Sequence, residues 1–527
     1  MDRLTGWLNR ALNHPRKLAL LLGLLSACGF QPVGLWPLAL LALAGLIELI
    51  GRAPDWKRAA LLGWLFGVGH FSLGNNWIAT AFTYQAAMPA WLGWCAVVLL
   101  ALYLAVYPML AVLGAWRLGR ANYAALVLSF AGLWIVTEWL RSWVFTGFAW
   151  NPLGLLLLGP FDRTGAALLA RVFGTYGLSG LAVMLAGSWL IALRRGRADW
   201  RGALLVLLPI ALWYLPQPTI ADTRRGPVFT LVQPMIPQEQ LNDPAMYEAN
   251  FRRLAALSAR QPGQQGRPRL LLWPESGVPD YLREGYPEVY YLDNYGADPV
   301  LARRRLARLT GPETVLLTGA TDLEVDRRRV IGARNAVTAL DGQGAILGSY
   351  AKAHLVPYGE YLPMRALLTP LGLARLVPGD IDFWPGPGPR SIDLGTSGKA
   401  GVQICYEIIF SGQVVDRDNR PAFLFNPSND GWFGAWGPPQ HLAQARLRAV
   451  EEGLPVLRAT TTGISAVINA EGAVEHYVPH RQAGRIDGVL PNPRAPTLFA
   501  QLGNMLPLGL AALLLGLSLV ARRRRVD

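Results

Sequence analysis

The feature that most constrains this chain is a series of apolar runs on the scale of a bilayer's hydrocarbon core. Seven crowd into the first 216 residues, at about 18–30, 33–50, 59–79, 91–116, 124–143, 166–193 and 203–215, and an eighth lies at about 506–520. Hydrocarbon tolerates backbone only where its hydrogen bonds close within the segment, so such runs have to be helices. The expected architecture is a polytopic α-helical membrane domain of eight spans, built from residues 1–216 and a last span within 503–521. Between them lies a long insert, 226–490, of different character.

Basic residues orient the spans. Arg3, Arg10, Arg16 and Lys17 precede the first run, and Arg52, Lys57 and Arg58 follow the second. Arg117 and Arg120 follow the fourth, Arg194, Arg195, Arg197 and Arg201 the sixth, and Arg522 to Arg525 the eighth. Residues 80–90, by contrast, contain no Lys or Arg. The positive-inside rule then places both termini in the cytoplasm and the insert outside, in the periplasm or whatever compartment lies there. The same placement disposes of a nucleic-acid reading of the net charge of +14, because the basic clusters flank membrane runs. The three cysteines cannot build a disulfide framework, and Cys28 and Cys95 fall within apolar runs.

Two local features carry rival readings. Leu25-Ser26-Ala27-Cys28 resembles the cleavage box of a lipoprotein signal, but a cleaved signal leads into a polar mature region and here another apolar run follows. His70, Asn75, Asn76, Glu138, Arg141 and Arg171 lie inside or beside the runs, where ionisable groups are candidates for function. Glu138 and Arg141, three residues apart, are equally suited to pair on one helix face.

The insert alternates short β-branched segments with turns and amphipathic stretches, the pattern of a mixed α/β domain. Strands are expected at 228–232, 270–273, 315–319, 335–340, 345–350, 401–404, 422–426, 456–459 and 465–469, with helices at 244–260, 299–309 and 439–452. Two loops are unusually apolar: 281–295, with five tyrosines, and 361–385, rich in Leu and Pro. On a domain tethered to a membrane two readings stand: that they cover a lipid-binding cleft, the favoured one, or that they pack on the domain itself.

Three of these strands end in chemistry. Arg269 through Trp273-Pro274-Glu275 runs apolar into a carboxylate, Ile346 through Tyr350-Ala351-Lys352 into an amine, and Gly401 through Ile404-Cys405-Tyr406-Glu407 into a thiol. A lone Cys is ordinarily a small inert hydrophobe, and a lone Glu or Lys a surface charge. Together they suit nucleophilic catalysis. An ammonium at Lys352 favours the Cys405 thiolate, Glu275 can take the thiol proton, and Lys352 with the Tyr406 N–H can hold an oxyanion. The six histidines offer no obvious Cys-His pair, His441 having no evident acidic partner by sequence. No metal-ligand cluster, P-loop or dinucleotide glycine motif is present, so no cofactor is expected.

These motifs, with Asn426-Pro427-Ser428-Asn429-Asp430-Gly431-Trp432-Phe433-Gly434 and the stretch from His441 to Ala449, resemble the Glu-Lys-Cys motifs of the nitrilase (carbon–nitrogen hydrolase) superfamily. Soluble nitrilases carry no eight spans. The combination, and Lys352-Ala353-His354-Leu355-Val356-Pro357-Tyr358-Gly359-Glu360-Tyr361, is similar to the apolipoprotein N-acyltransferase family. The resemblance implies a bacterial inner membrane, a nitrilase-like αββα sandwich and a ping-pong acyl transfer through a Cys405 thioester. The donor implied is a membrane phospholipid, phosphatidylethanolamine; the acceptor is the α-amine of the S-diacylglyceryl-cysteine that begins an apolipoprotein. It also implies that Glu275, Lys352 and Cys405 are catalytic, that Glu360 is a supporting carboxylate, and that Tyr406 and Glu407 position the nucleophile. A monomer is expected. Two other classes use the same features differently. A membrane-anchored amidase would act on a small amide, and a transporter or receptor would use the insert as a binding module and leave Cys405 dispensable.

Overall fold

The computed structural model describes residues 13–84, 89–195, 226–261, 266–371 and 382–523, with single positions between 204 and 214. The chain divides into two compact units. One comprises Met1–Ala79, Trp91–Gln217 and Thr497–Asp527, the other Thr80–Ala90 and Pro218–Pro496.

The first unit is helical. Its long helices are Pro15–Ala27, Trp36–Arg52, Trp56–Gly74, Leu92–Leu104 continuing as Val106–Gly119, Tyr123–Arg141, Ala170–Arg195 and Met505–Arg523. By length and composition, four stretches among the described residues can cross a membrane: Leu92–Gly119, Tyr123–Arg141, Gly165–Arg194 and Met505–Arg523. The other apolar runs give shorter or more polar helices. Pro15–Ala27 has 13 residues, about 20 Å of helix against a core of roughly 30 Å. Trp36–Arg52 has 17, and Trp56–Gly74 carries Lys57, Arg58 and His70. The run expected at 203–215 lies largely outside the described residues.

Small residues allow close helix crossings here, as packing without a hydrophobic drive requires. A Cβ on Gly23 would sit 2.0 Å from the Phe66 carbonyl oxygen, and one on Gly69 would sit 2.3 Å from that of Leu20. The polar residues singled out above are woven into this packing. His70 is buried, with Nδ1 2.8 Å from the Ser26 hydroxyl. Arg141 lies 3.7 Å from Glu138 and donates to the carbonyls of Phe148 and Trp150, while Glu138 accepts from the backbone N–H of Leu153. The pair therefore holds the irregular segment 148–153 that follows its helix.

The second unit is an α/β domain of two six-stranded sheets. Its strands are β1 (Val228–Gln233), β2 (Arg269–Leu272), β3 (Thr314–Asp326), β4 (Arg329–Leu340), β5 (Ile346–Ala351), β6 (Ser391–Asp393), β7 (Lys399–Val402), β8 (Phe423–Ser428), β9 (Val456–Thr460), β10 (Ser465–Ile468), β11 (Val474–Val478) and β12 (Gly484–Val489). One sheet runs β12-β1-β2-β3-β4-β5 and the other β11-β10-β9-β8-β7-β6. Each has three parallel strands in its middle, β1-β2-β3 and β7-β8-β9, with antiparallel neighbours on both sides. The helices Tyr247–Ser258, Pro299–Thr310 and Gly437–Glu452 carry apolar faces for these layers. Gln233 ties the sheets together: its side-chain oxygen accepts from the Thr460 hydroxyl and the Ser465 N–H.

Strand positions follow the sequence pattern closely at the buried parallel core and less closely at the periphery. The hairpin of β3 and β4 reaches well past the expected 315–319 and 335–340. Its turn uses two arginines, Arg327 and Arg328, at φ 45° and 66°, where Asn or Gly is the usual signal. β12 is masked in the sequence by Arg485 and Asp487, which satisfy each other at 2.7 Å.

Candidate active site

Glu275 stands three residues beyond the end of β2. The backbone must turn sharply there, and Ser276 takes φ 55°. Gly319 on the neighbouring strand makes room for the turn, since a Cβ there would lie 2.5 Å from the Ser276 nitrogen and 2.8 Å from the Glu275 Cα. The carboxylate is buried and held from two sides. Oε1 accepts from Asn335 Nδ2 at 2.7 Å, and Oε2 from the backbone N–H of Asn429 at 2.7 Å.

Lys352 immediately follows β5, whose pairing with β4 continues as the Lys352 N–H donating to the Asn335 carbonyl. Its side chain is 1% exposed. Nζ donates to Glu360 Oε1 at 2.9 Å and lies 3.6 Å from Glu275 Oε1. Burial alone would lower the ammonium's pKa; the carboxylates of Glu360 and Glu275 more than reverse this and hold it above its ordinary value. Lys352 is thus a fixed positive charge rather than a base. Glu360 is itself anchored, with Oε1 also accepting from Asn335 Nδ2 at 2.9 Å and Oε2 from the Val356 N–H at 2.8 Å.

Cys405 opens a 3-10 turn, Cys405–Ile409, just after β7. Its φ is 51°, a left-handed conformation that costs a non-glycine residue on the order of 1–3 kcal/mol and persists only where surroundings enforce it. Glu407 supplies part of that enforcement. Its Oε2 accepts from the Ile404 N–H at 2.8 Å, and Oε1 from the Tyr350 hydroxyl at 2.7 Å and the N–H groups of Ala353 and His354 at 2.7 and 3.2 Å. One carboxylate thereby clamps the thiol's turn to the strand end that carries Lys352. Burial pushes the Glu407 carboxyl up to about 7, against the pull of Tyr350 and these backbone donors. Tyr406 is buried, its ring edge-on to Phe410 at 5.2 Å.

The thiol's protonation differs from the sequence expectation. Burial first, and then the Glu275 charge, raise the Cys405 pKa well above its ordinary value, and Lys352 only partly opposes them. The ammonium's field is largely spent on its two carboxylates. Cys405 therefore rests as a neutral thiol within the field of the Glu275 carboxylate, an arrangement that suits proton removal from sulfur.

A second buried cluster lies behind Cys405. Arg458 Nη2 donates to both Asp430 oxygens at 2.8 and 2.7 Å and lies 3.0 Å from His441 Nδ1. Arg458 Nη1 donates to Asn426 Oδ1 and to the Ser428 hydroxyl. His441 Nδ1 is 3.0 Å from Asp430 Oδ1, and Nε2 is 3.0 Å from the Cys405 carbonyl oxygen. Burial would raise the Asp430 carboxyl, but Arg458 and His441 hold it down at about 2. Burial and the Arg458 charge lower the His441 pKa. Ligand atoms of Cys405, Asp430 and His441 lie within 4.8 Å of one another. With a guanidinium already bound to both Asp430 oxygens, this set does not fit a metal ion.

The partner of His441 that the sequence did not reveal is thus Asp430, eleven positions earlier. Asn335, which bridges Glu275 and Glu360, and Arg458 were also missed. Each is a polar residue inside a strand, a weak cue that only the partners make meaningful. Among the described parts of the two apolar loops, Tyr281, Tyr286, Tyr290 and Tyr291 pack on one another, whereas Val289, Leu292, Met364 and Leu367 are each more than 60% exposed. Residues 372–381 lie outside the described residues.

Comparison with known proteins matches residues 22–188 to the apolipoprotein N-acyltransferase N-terminal domain and residues 231–483 to the carbon-nitrogen hydrolase family. The chain is similar to an apolipoprotein N-acyltransferase from Rhodopseudomonas palustris, 34% identical, the match covering 96% of this chain and 95% of the relative. One from Bradyrhizobium diazoefficiens is also 34% identical, covering 99% and 96%. Among solved structures, an amidase from Nesterenkonia sp. aligns with a TM-score of 0.36 and 18% identity, over 52% of this chain and 95% of the amidase.

Proposed function

The chain belongs to the apolipoprotein N-acyltransferase family and is a bacterial membrane enzyme that N-acylates lipoproteins with a chain from a phospholipid; from this premise we propose that Cys405 carries the chain as a thioester. The observation that supports this most is the buried assembly in which a neutral thiol, a carboxylate held by Asn335 and Asn429, and a permanently charged Lys352 converge.

In the first half-reaction Glu275 takes the Sγ proton while sulfur bonds to the ester carbonyl carbon. The oxyanion is held by Lys352 and the Tyr406 N–H. As it collapses, the C–O bond to glycerol breaks and the leaving oxygen takes the proton from Glu275, releasing lysophospholipid. In the second, the α-amine of the diacylglyceryl-cysteine attacks the thioester carbonyl. Glu275 takes the amine proton, the C–S bond breaks, and the proton returns to sulfur. Glu360 keeps Lys352 in place, and Glu407 and Tyr406 set the nucleophile's turn. No cofactor takes part.

The donor in this reading is phosphatidylethanolamine and the working unit a monomer. The chain crosses the inner membrane eight times, residues 1–216 and 503–521 forming the bundle, with both termini cytoplasmic and residues 226–490 periplasmic. The basic residues flanking the apolar runs support that topology. The exposed Val289, Leu292, Met364 and Leu367 favour loops that meet lipid and shelter the thioester from water.

The test is intact-mass spectrometry of the purified protein after incubation with phosphatidylethanolamine, comparing wild type with Cys405→Ala. Wild type alone should gain a fatty-acyl mass, removed by hydroxylamine or by a diacylated lipopeptide. A folded wild type that gains none, or a Cys405→Ala variant that gains it equally, would sink the thioester reading.

A further inference from the structure

The nucleophile's peptide is held from behind by groups that no step above uses. The Cys405 carbonyl oxygen has two donors, His441 Nε2 at 3.0 Å and Asn426 Nδ2 at 3.4 Å. His441 is fully buried on the helix Gly437–Glu452, its ring edge-on to Phe433. Its tautomer follows from its neighbours. The Cys405 carbonyl can only accept, so the Nε2 contact places a proton on Nε2, while Nδ1 lies 3.0 Å from both Arg458 Nη2, which can only donate, and Asp430 Oδ1, which can only accept. Asp430 fixes the guanidinium with both oxygens. Gly463 lets Asp430 in, because a Cβ there would lie 2.3 Å from its Oδ2.

We propose that His441 is a positioning residue for acyl transfer: its Nε2–H, oriented by Arg458 and Asp430, pins the Cys405 carbonyl and so keeps the thiol's turn in its left-handed conformation. Cys405 is the one residue in this turn at positive φ, and its side chain and carbonyl swing together when that peptide relaxes. Without the pin, the sulfur leaves its place opposite Glu275 and Lys352. A misplacement of about 1 Å is enough to lower a rate about 100-fold.

The inference rests on the thioester reading, and its test separates the two. In full-length protein in phosphatidylethanolamine vesicles, the rate of acyl loading is followed by intact mass for wild type, His441→Gln, His441→Asn and His441→Ala. A glutamine amide reaches the Nε2 position and can donate to the Cys405 carbonyl; an asparagine amide reaches only the Nδ1 position. The expected order is wild type, then Gln within about tenfold, then Asn and Ala about 100-fold down. The loss should appear in the maximal rate with the half-saturating lipid concentration unchanged, and the pH profile of loading should keep its wild-type midpoints. Equal rates for Gln and Asn, an Ala variant within threefold of wild type, or a shifted pH midpoint that marks His441 as a proton carrier would each overturn it. If Ala fails to fold, the Gln and Asn pair decides. A wild type that never loads instead overturns the thioester reading.

Discussion

Replacing Glu360 by Gln is the most informative single perturbation of the site, because it changes one charge while keeping the shape. Glu360 accepts three hydrogen bonds, from Lys352 Nζ and Asn335 Nδ2 on Oε1 and from the Val356 N–H on Oε2. A glutamine has one acceptor oxygen. With that oxygen toward Lys352, its amide faces the Val356 N–H and leaves a buried donor unpaired, costing about 1–3 kcal/mol; the flipped rotamer strands two donors and is worse. That cost is small enough for the domain to remain folded. The larger effect is electrostatic. Lys352, still an ammonium, exchanges an ion pair with a carboxylate for a bond to a neutral amide oxygen, a change on the order of 1.5–3 kcal/mol, and its remaining carboxylate is Glu275 at 3.6 Å. Drawn toward Glu275, the ammonium blunts the group that accepts the thiol proton in the proposed mechanism. Carried into the barrier, the same energy slows thioester formation about 10- to 150-fold. The assay is the rate of acyl loading by intact mass, beside a thermal unfolding curve of the same sample. A stable variant loading within twofold of wild type would show that Glu360 has no bearing on Lys352 during reaction. A stable variant slowed more than about 10⁴-fold would mean that Glu360, not Glu275, is the base.

Three further outcomes follow from named contacts. Asp430 is held at about 2, below its ordinary 3.8, so it adds stability above pH 4 that is lost as pH falls through 2. The difference is roughly 2 kcal/mol, and a plot of unfolding temperature against pH should be flatter for Asp430→Asn over that window; an identical slope would refute the assignment. Gly319→Ala should press the new methyl on Ser276 and the Glu275 Cα, destabilising by about 1–3 kcal/mol and slowing acyl loading more than lipid binding. Normal loading would show that the Glu275 turn yields freely. Arg141→Ala should strip the pairing from buried Glu138 and the donors from Phe148 and Trp150, a loss of about 3–5 kcal/mol that detergent-solubilised protein would show as a lowered melting temperature. Arg141→Ala with wild-type melting would mean the pair is not structural.

What the linear sequence determined by itself is whatever a single segment can signal. Apolar runs mark helices because lipid and core both demand internally satisfied backbone. Buried strands that break off at Glu275, Lys352 and Cys405 mark a site because such residues rarely end such runs without cause. Glu360 and Glu407 were reached only through the resemblance of the motifs that contain them, since a carboxylate in a loop or turn carries no signal of its own. The tertiary structure alone decided everything that depends on meeting across the fold. Asn335 matters because strand pairing carries it to Glu275, 60 positions away, and to Glu360, 25 positions away. His441, Asp430 and Arg458 become one network only when β8, β9 and a helix bring them behind the thiol. The state of that thiol was decided there too. Nearness to Lys352 in the motif suggested a thiolate, but burial and two carboxylates competing for the ammonium leave a neutral thiol. A charge's effect is set by all its neighbours and by the water it has lost, and neither is written in the order of residues.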